Sequence, residues 1–131
     1  MIFVDSDAFI GLSYRKDVHY KKSKIIMDSL GEQDEILITS WQVVDEVATK
    51  LSYFTTKKLS VNFLNWLFES DIKIVYVDEK LSRKIVKKFK SQRSKRVSLT
   101  DCTNMVIAKE MRVEKFFSFD KVYVQNGFKL L

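Results

Sequence analysis

The order of apolar segments predicts a three-layer α/β domain with a mainly parallel central sheet of four to five strands. The first observation is Ile2-Phe3-Val4, an unbroken apolar run ending at Asp5. It is too short for a helix and has the character of a strand buried on both faces. The second is that such segments alternate with stretches long enough for the helical crossover that a parallel strand pair requires. The third is the absence of any repeat, linker or low-complexity tract. The 131 residues therefore read as one domain, 1–131, large enough to hold a core without disulfide or metal staples.

Taken in order, residues 8–14 are expected as a short helix leaving the first strand. Residues 17–30 form a second helix, with Ile25, Ile26 and Leu30 as its apolar stripe and Gly31 as its C-cap. Residues 35–39 give the second strand. Thr39 or Ser40 caps a helix over 41–54, whose apolar face includes Trp41, Val44, Ala48 and Leu51, with Glu46 in its second turn. Ser60 is placed as the cap of a helix through Phe68, followed by a third strand at 72–77. Residues 79–90 form a helix with Leu81, Ile85 and Phe89 spaced for one buried face. Ser98 suits the N-cap of the next helix, with Asp101 in its first turn, where the helix dipole and free amides favour an anion. A fourth strand covers Phe116 to Phe119 and ends on Asp120. A turn at Gln125-Asn126-Gly127 and a last short strand, 128–131, complete the chain.

Composition narrows the chemistry. Apolar residues make up 46% and charged residues 31%, an ordinary balance for a folded soluble domain. No apolar run is long enough to span a bilayer, and MIFVDSD has acids where a signal peptide needs a basic region, so a cytoplasmic protein without membrane contact is expected. One cysteine, Cys102, excludes an internal disulfide, and with His19 the only histidine, any metal must be held through oxygen. Cys102 reads as core and His19 as surface. The net charge of +6 fits an anionic partner such as RNA, and equally fits a lysine-rich surface.

Four acids are expected at one edge of the sheet: Asp5 ending the first strand, Glu46, Asp101, and Asp120 ending the fourth. Ligands bind at that edge in open parallel sheets. Each acid has an ordinary explanation on its own, as a cap, a helix-terminal charge, a turn residue or an exposed helix position. Together they favour a site, because crowded carboxylates raise one another's pKa unless a cation neutralises them. Mg²⁺ or Mn²⁺ suits carboxylate and water oxygens, and such ions act on phosphate esters. Residues 83–96 add Arg83, Lys84, Lys87, Lys88, Lys90, Arg93, Lys95 and Arg96 with no acid among them, a stretch suited to phosphate contact.

The strand with Asp5-Ser6, Glu46 early in a helix, SLTDCTNMVIA, and FFSFD followed by Gly127-Phe128 together resemble a PIN domain, most closely the VapC-type toxins and their single-domain relatives. The resemblance covers essentially the whole chain. It implies a Mg²⁺- or Mn²⁺-dependent ribonuclease, typically dimeric and often inhibited by a small antitoxin. It places the family's four acids on Asp5, Glu46, Asp101 and Asp120, and matches Ser118 to a hydroxyl residue able to orient a metal-bound water. Ser6 and Asn104 are polar positions expected to line the site. Asp7 departs from the family pattern, which has Asn, Ser or Thr there, and is read as a helix cap.

Three other readings remain in view. Asp5-Ser6-Asp7 after a strand also fits a haloacid-dehalogenase-type phosphatase, although that reading leaves Glu46 and Asp101 without a role. A receiver domain with Asp78 as phosphoacceptor lacks the expected late lysine-proline pair, since the chain has no proline. A non-catalytic RNA- or protein-binding module would keep the fold and lack turnover.

Overall fold

A computed structural model describes residues 1–131. Five strands, β1 (Ile2–Val4), β2 (Leu37–Ser40), β3 (Lys73–Val75), β4 (Lys115–Phe117) and β5 (Lys129–Leu130), form one sheet in the order β3-β2-β1-β4-β5. Every pairing is parallel. The helices are α1 (Ser6–Ser13), α2 (Tyr20–Glu32), α3 (Trp41–Phe54), α4 (Lys57–Glu69), α5 (Glu79–Lys90), α6 (Leu99–Glu110) and α7 (Val122–Gln125). No helix is long and apolar enough to cross a membrane.

The chain winds outward from β1 through β2 to β3, then returns across the sheet to place β4 on the other side of β1. The strand order therefore reverses between β1 and β4, and the crevice outside their carboxyl ends is where an open α/β sheet accepts a ligand. Phe3 pairs in register with Ile38 on one side and Phe116 on the other. All three are fully buried, as expected of central parallel strands. Stacking of Phe116 on Phe3 (centroids 5.0 Å apart) and on Tyr123 (4.1 Å) carries this core to the mouth of the crevice.

Several boundaries differ from the expectation. Helix α1 begins two residues early, at Ser6, and α2 begins at Tyr20 because Asp17 turns the chain instead, its Oδ1 accepting from the His19 amide (2.8 Å). Gly31 lies within α2, and the left-handed residue after the helix is Asp34 (φ 50°), a conformation that short polar side chains tolerate. Ile25 is exposed while Leu30 is buried, and in α3 the buried face is Val43, Val44, Val47 and Leu51, with Trp41 outside it. Ser40 caps α3 as expected. The gap before Gly127 holds the one-turn helix α7, and Gly127 then takes φ 89°, where glycine carries no Cβ penalty.

Ser60 is not a cap. Helix α4 starts three residues before it and is capped by Thr56, whose Oγ1 accepts from the Leu59 amide (3.1 Å), while Ser60 is buried and donates to the Ala48 carbonyl of α3 (2.7 Å). Thr56→Ala should therefore destabilise the protein by about 1 kcal/mol in urea unfolding. An unchanged midpoint would mean that the cap contributes nothing.

Candidate active site

Asp5 stands at the carboxyl end of β1 and at the N-cap position of α1, yet its side chain makes no capping bond. It turns into the crevice, where it is buried. Asn104 Nδ2, from α6, donates to Asp5 Oδ1 (3.1 Å), and Ser118 Oγ, just past β4, donates toward Oδ2 (3.0 Å). Asn104 is itself fixed: its Oδ1 accepts from Ser40 Oγ (2.8 Å), and its Nδ2 also donates to the Tyr123 hydroxyl (3.0 Å). Side chains from α6 and the β4 end thus hold one carboxylate, and Ser40 of β2 and Tyr123 of α7 brace Asn104 behind it. Burial pushes the Asp5 carboxyl up to about 7, and the neighbouring charges of Asp7 and Asp101 add to the rise.

Asp7 is not the helix cap read from the sequence. Its Oδ2 accepts from the Phe119 amide (2.7 Å) and lies 3.1 Å from Ser118 Oγ, so it braces the segment after β4 against α1. The single Ser118 proton therefore sits between two carboxylates, while its oxygen accepts from the Asp120 amide (3.1 Å). Asp7 Oδ1 is buried with no partner. Burial also raises the Asp7 carboxyl, against the opposing Phe119 amide and Ser118 hydroxyl.

Asp101 lies in the first turn of α6 in a reciprocal capping box: its amide donates to Ser98 Oγ (3.0 Å), and its Oδ2 accepts from the Ser98 amide (2.7 Å). Burial raises its pKa first, and the charges of Asp120 and Glu46 raise it further. Since Asp101 also acts on Asp5, it is the acid through which the four predicted carboxylates influence one another. Asp120 is exposed and lies two residues before α7, its Oδ1 accepting from the Val122 amide (2.9 Å). Glu46 is half-buried and paired with Lys50 one turn on. Ser6 is buried beside Asp5, with its amide directed at the carboxylate.

The donor set is purely oxygen, and no chain cation pairs with Asp5, Asp7, Asp101 or Asp120. An orphaned Asp7 oxygen and two carboxylates raised by burial and by each other are what a hard cation relieves, so the residues suit Mg²⁺ or Mn²⁺ in kind. No three acid, histidine or cysteine side chains are arranged to hold an ion directly.

The basic stretch is unevenly available. Arg83 pairs with Glu79 and Lys84 with Glu110, while Lys88 is half-buried and donates to Asn126 Oδ1 (2.9 Å). Lys87, Lys90, Arg93, Lys95 and Arg96 have no acidic partner. Cys102 is buried as expected, and His19 is half-buried, its ring stacked on Phe119 at 4.0 Å. Asp78 is accounted for as the cap of α5. The residues missed from the sequence are Tyr123, whose aromatic spacing reads as core, and Ser40, which caps α3 and also anchors Asn104.

A five-stranded parallel sheet flanked by helices, with acids at its reversal point, defines a three-layer α/β domain with a ligand crevice of acidic character. A family model described as PIN domain matches residues 2–129, and the chain belongs to that family. The crystal structure of VapC20 from Mycobacterium tuberculosis, described as a sarcin-ricin loop cleaving toxin, aligns with a TM-score of 0.87 at 18% identity. The alignment covers 98% of this chain and 96% of that one, which establishes a shared fold. No curated protein matches the sequence.

Proposed function

We propose that this chain is a divalent-metal-dependent endoribonuclease acting as the toxin of a toxin-antitoxin pair in the cytoplasm. The observation that carries the reading is the group of Asp5, Asp7, Asp101 and Asp120 at the β1/β4 reversal point, none of which is paired with a side-chain cation. Membership of the PIN family and the likeness in fold to an RNA-cleaving toxin support it.

Asp5, Asp101, Asp120 and Glu46 would hold Mg²⁺ or Mn²⁺, directly or through water. Such an ion supplies a more acidic water and a screened phosphate. The chain's own groups do the rest. Asn104 and Ser118 fix both oxygens of Asp5, so its orientation is set before substrate arrives. Ser118 keeps its one proton among Asp5 and Asp7, where it can turn to a water without disturbing the backbone bond it accepts from Asp120. Glu46, with Lys50 as its partner, can take a proton from the attacking water. Lys87, Lys90, Arg93, Lys95 and Arg96 would hold the RNA backbone. A small antitoxin protein and a second copy of the chain complete the proposed partners.

Purified protein should cleave RNA with Mg²⁺ or Mn²⁺ and stop when EDTA is added. Expressed alone it should arrest growth, with relief from a small protein encoded beside it. Protein that binds RNA and cleaves none with either metal would return the chain to the binding-module class.

A further inference from the structure

Beside the carboxylates, the same sheet edge carries an unassigned aromatic pair. Trp41 directly follows β2 and Tyr76 directly follows β3, and their rings stack at 5.6 Å with planes 23° apart. Both remain well exposed, Trp41 at 40% and Tyr76 at 60%. Core packing therefore does not explain them. The next residue after each, Gln42 and Val77, lines an open cavity of about 220 Å³ bordered also by Ser82, Ile85, Val86, Leu99, Thr100 and Thr103. Thr100 immediately precedes Asp101, so the cavity adjoins the acidic crevice.

The polar atoms of this cavity are biased toward accepting. Ser82 Oγ donates its proton to the Glu79 carbonyl (2.7 Å), and Thr103 Oγ1 donates to the Leu99 carbonyl (2.9 Å), leaving their lone pairs. Gln42 Oε1 is buried and has no partner at all. A buried acceptor without a donor is costly, and a ligand N–H would satisfy it once the Gln42 amide turns into the cavity. An exposed aromatic pair next in sequence to the lining of a largely apolar cavity that holds a few acceptors is a combination suited to holding an unpaired base by its face and reading its edge.

We propose that Trp41, Tyr76 and Gln42 form a nucleobase subsite next to the cleavage centre. It takes an unpaired base of the RNA that carries an exocyclic amine, adenine, cytosine or guanine, in preference to uracil, whose only pairing-edge N–H lies between two carbonyls. The aromatic pair supplies stacking, which is tolerant of base identity, and Gln42 supplies the preference by accepting from the amine. The unpaired cations Lys87, Lys90 and Arg93 of α5 and the loop after it give the complementary charge for the attached backbone. The subsite rests on the ribonuclease reading above and specifies the substrate of that site.

The chain has two tryptophans, so Trp66→Phe leaves Trp41 as the sole indole emitter. In this background, short homopolymeric oligoadenylate and oligocytidylate should quench the emission on titration in EDTA, and oligouridylate should bind several-fold more weakly. Tyr76→Ala should weaken oligoadenylate binding roughly tenfold, and Gln42→Leu should remove the preference over oligouridylate while quenching persists. RNA cleavage by the wild type together with no quenching of Trp41 would overturn the subsite and leave the nuclease reading standing. Quenching and base preference in a protein that cleaves nothing would keep the subsite and sink the nuclease reading. A dimer in sedimentation that Trp41→Ala dissociates, with no response to any oligonucleotide, would assign this face to a second copy and overturn the proposal.

Discussion

Asp101→Asn is expected to lower metal-dependent RNA cleavage by at least about a hundredfold near neutral pH, with little change in the unfolding midpoint. Asparagine is nearly isosteric and its amide oxygen still accepts from the Ser98 amide, so the capping box that opens α6 survives. What disappears is the charge that acts on Asp5 and is itself raised by Asp120 and Glu46. A metal's stabilisation of the transition state is worth several kcal/mol, and each 1.36 kcal/mol is about a factor of ten in rate. The favourable charge-dipole term lost at the helix start is about 0.3–1 kcal/mol at most. It is offset by relief of the burial and repulsion that raise the Asp101 pKa. Activity and stability should therefore separate. Equal cleavage rates for Asp101→Asn and wild type, compared with EDTA as the zero, would reduce Asp101 to a helix-terminal charge.

Much of the fold was legible because its signals are local. Ile2–Val4 could only be a strand buried on both faces, and α5 emerges at Glu79–Lys90 as expected, although of its apolar stripe Ile85 is buried, Leu81 half-buried and Phe89 exposed. Boundaries failed where two residues of similar chemistry competed. Thr56 and Ser60 both offer a hydroxyl, and only tertiary packing decides that Thr56 caps α4 while Ser60 turns to the Ala48 carbonyl. The sequence signal for Gly31 as a terminator was sound in kind. Asp34 took the left-handed position because α2 continues past the glycine to Glu32. Helix α7 was missed because four residues are too few to display a period.

The acids were legible because their positions relative to strand ends and helix starts follow from the element order. Their neighbours were not. Ser118 was visible only through the family pattern, and its place between Asp5 and Asp7 depends on how β4 sits beside β1. Tyr123 lies three residues after Asp120 in a run of apolar side chains, and its ring does pack on Phe116. Only its hydroxyl belongs to the site, and a period-based reading sees the ring alone. Asp7 was misread because a carboxylate at a helix start has a cheap local partner in the helix amides. Here the Phe119 amide across the crevice takes that role.

In metal-free buffer the protein should become less stable as pH rises from about 4 to about 7, and Asp5→Asn should remove most of that loss. Asp5 has a folded pKa of about 7 against 3.8 for the free carboxyl. Between those values the native state holds a proton that the unfolded state has released, so raising the pH favours unfolding. The penalty begins above the unfolded value and is complete above the folded one. At 1.36 kcal/mol per unit it has a ceiling of roughly 4 kcal/mol. Asp7 faces the same Ser118 hydroxyl and is also raised, so the two carboxyls titrate as a pair across this window. In Asp5→Asn the new amide oxygen accepts from Asn104, and its NH₂ donates to Ser118, which frees the hydroxyl proton for Asp7. Glu35, held low by the N-terminal amine, works in the opposite sense at lower pH, Asp101 is raised in the same sense as Asp5, and both are common to the two proteins, so their difference reports Asp5 together with its coupling to Asp7. Mn²⁺ or Mg²⁺ should restore wild-type stability above pH 7 by binding the ionised native form, and should do far less for Asp5→Asn. Urea unfolding across this pH range, with EDTA and then with Mn²⁺, reads both effects. A flat wild-type profile, with equal gains for both proteins on adding Mn²⁺, would show that Asp5 neither titrates in this window nor takes part in holding the ion.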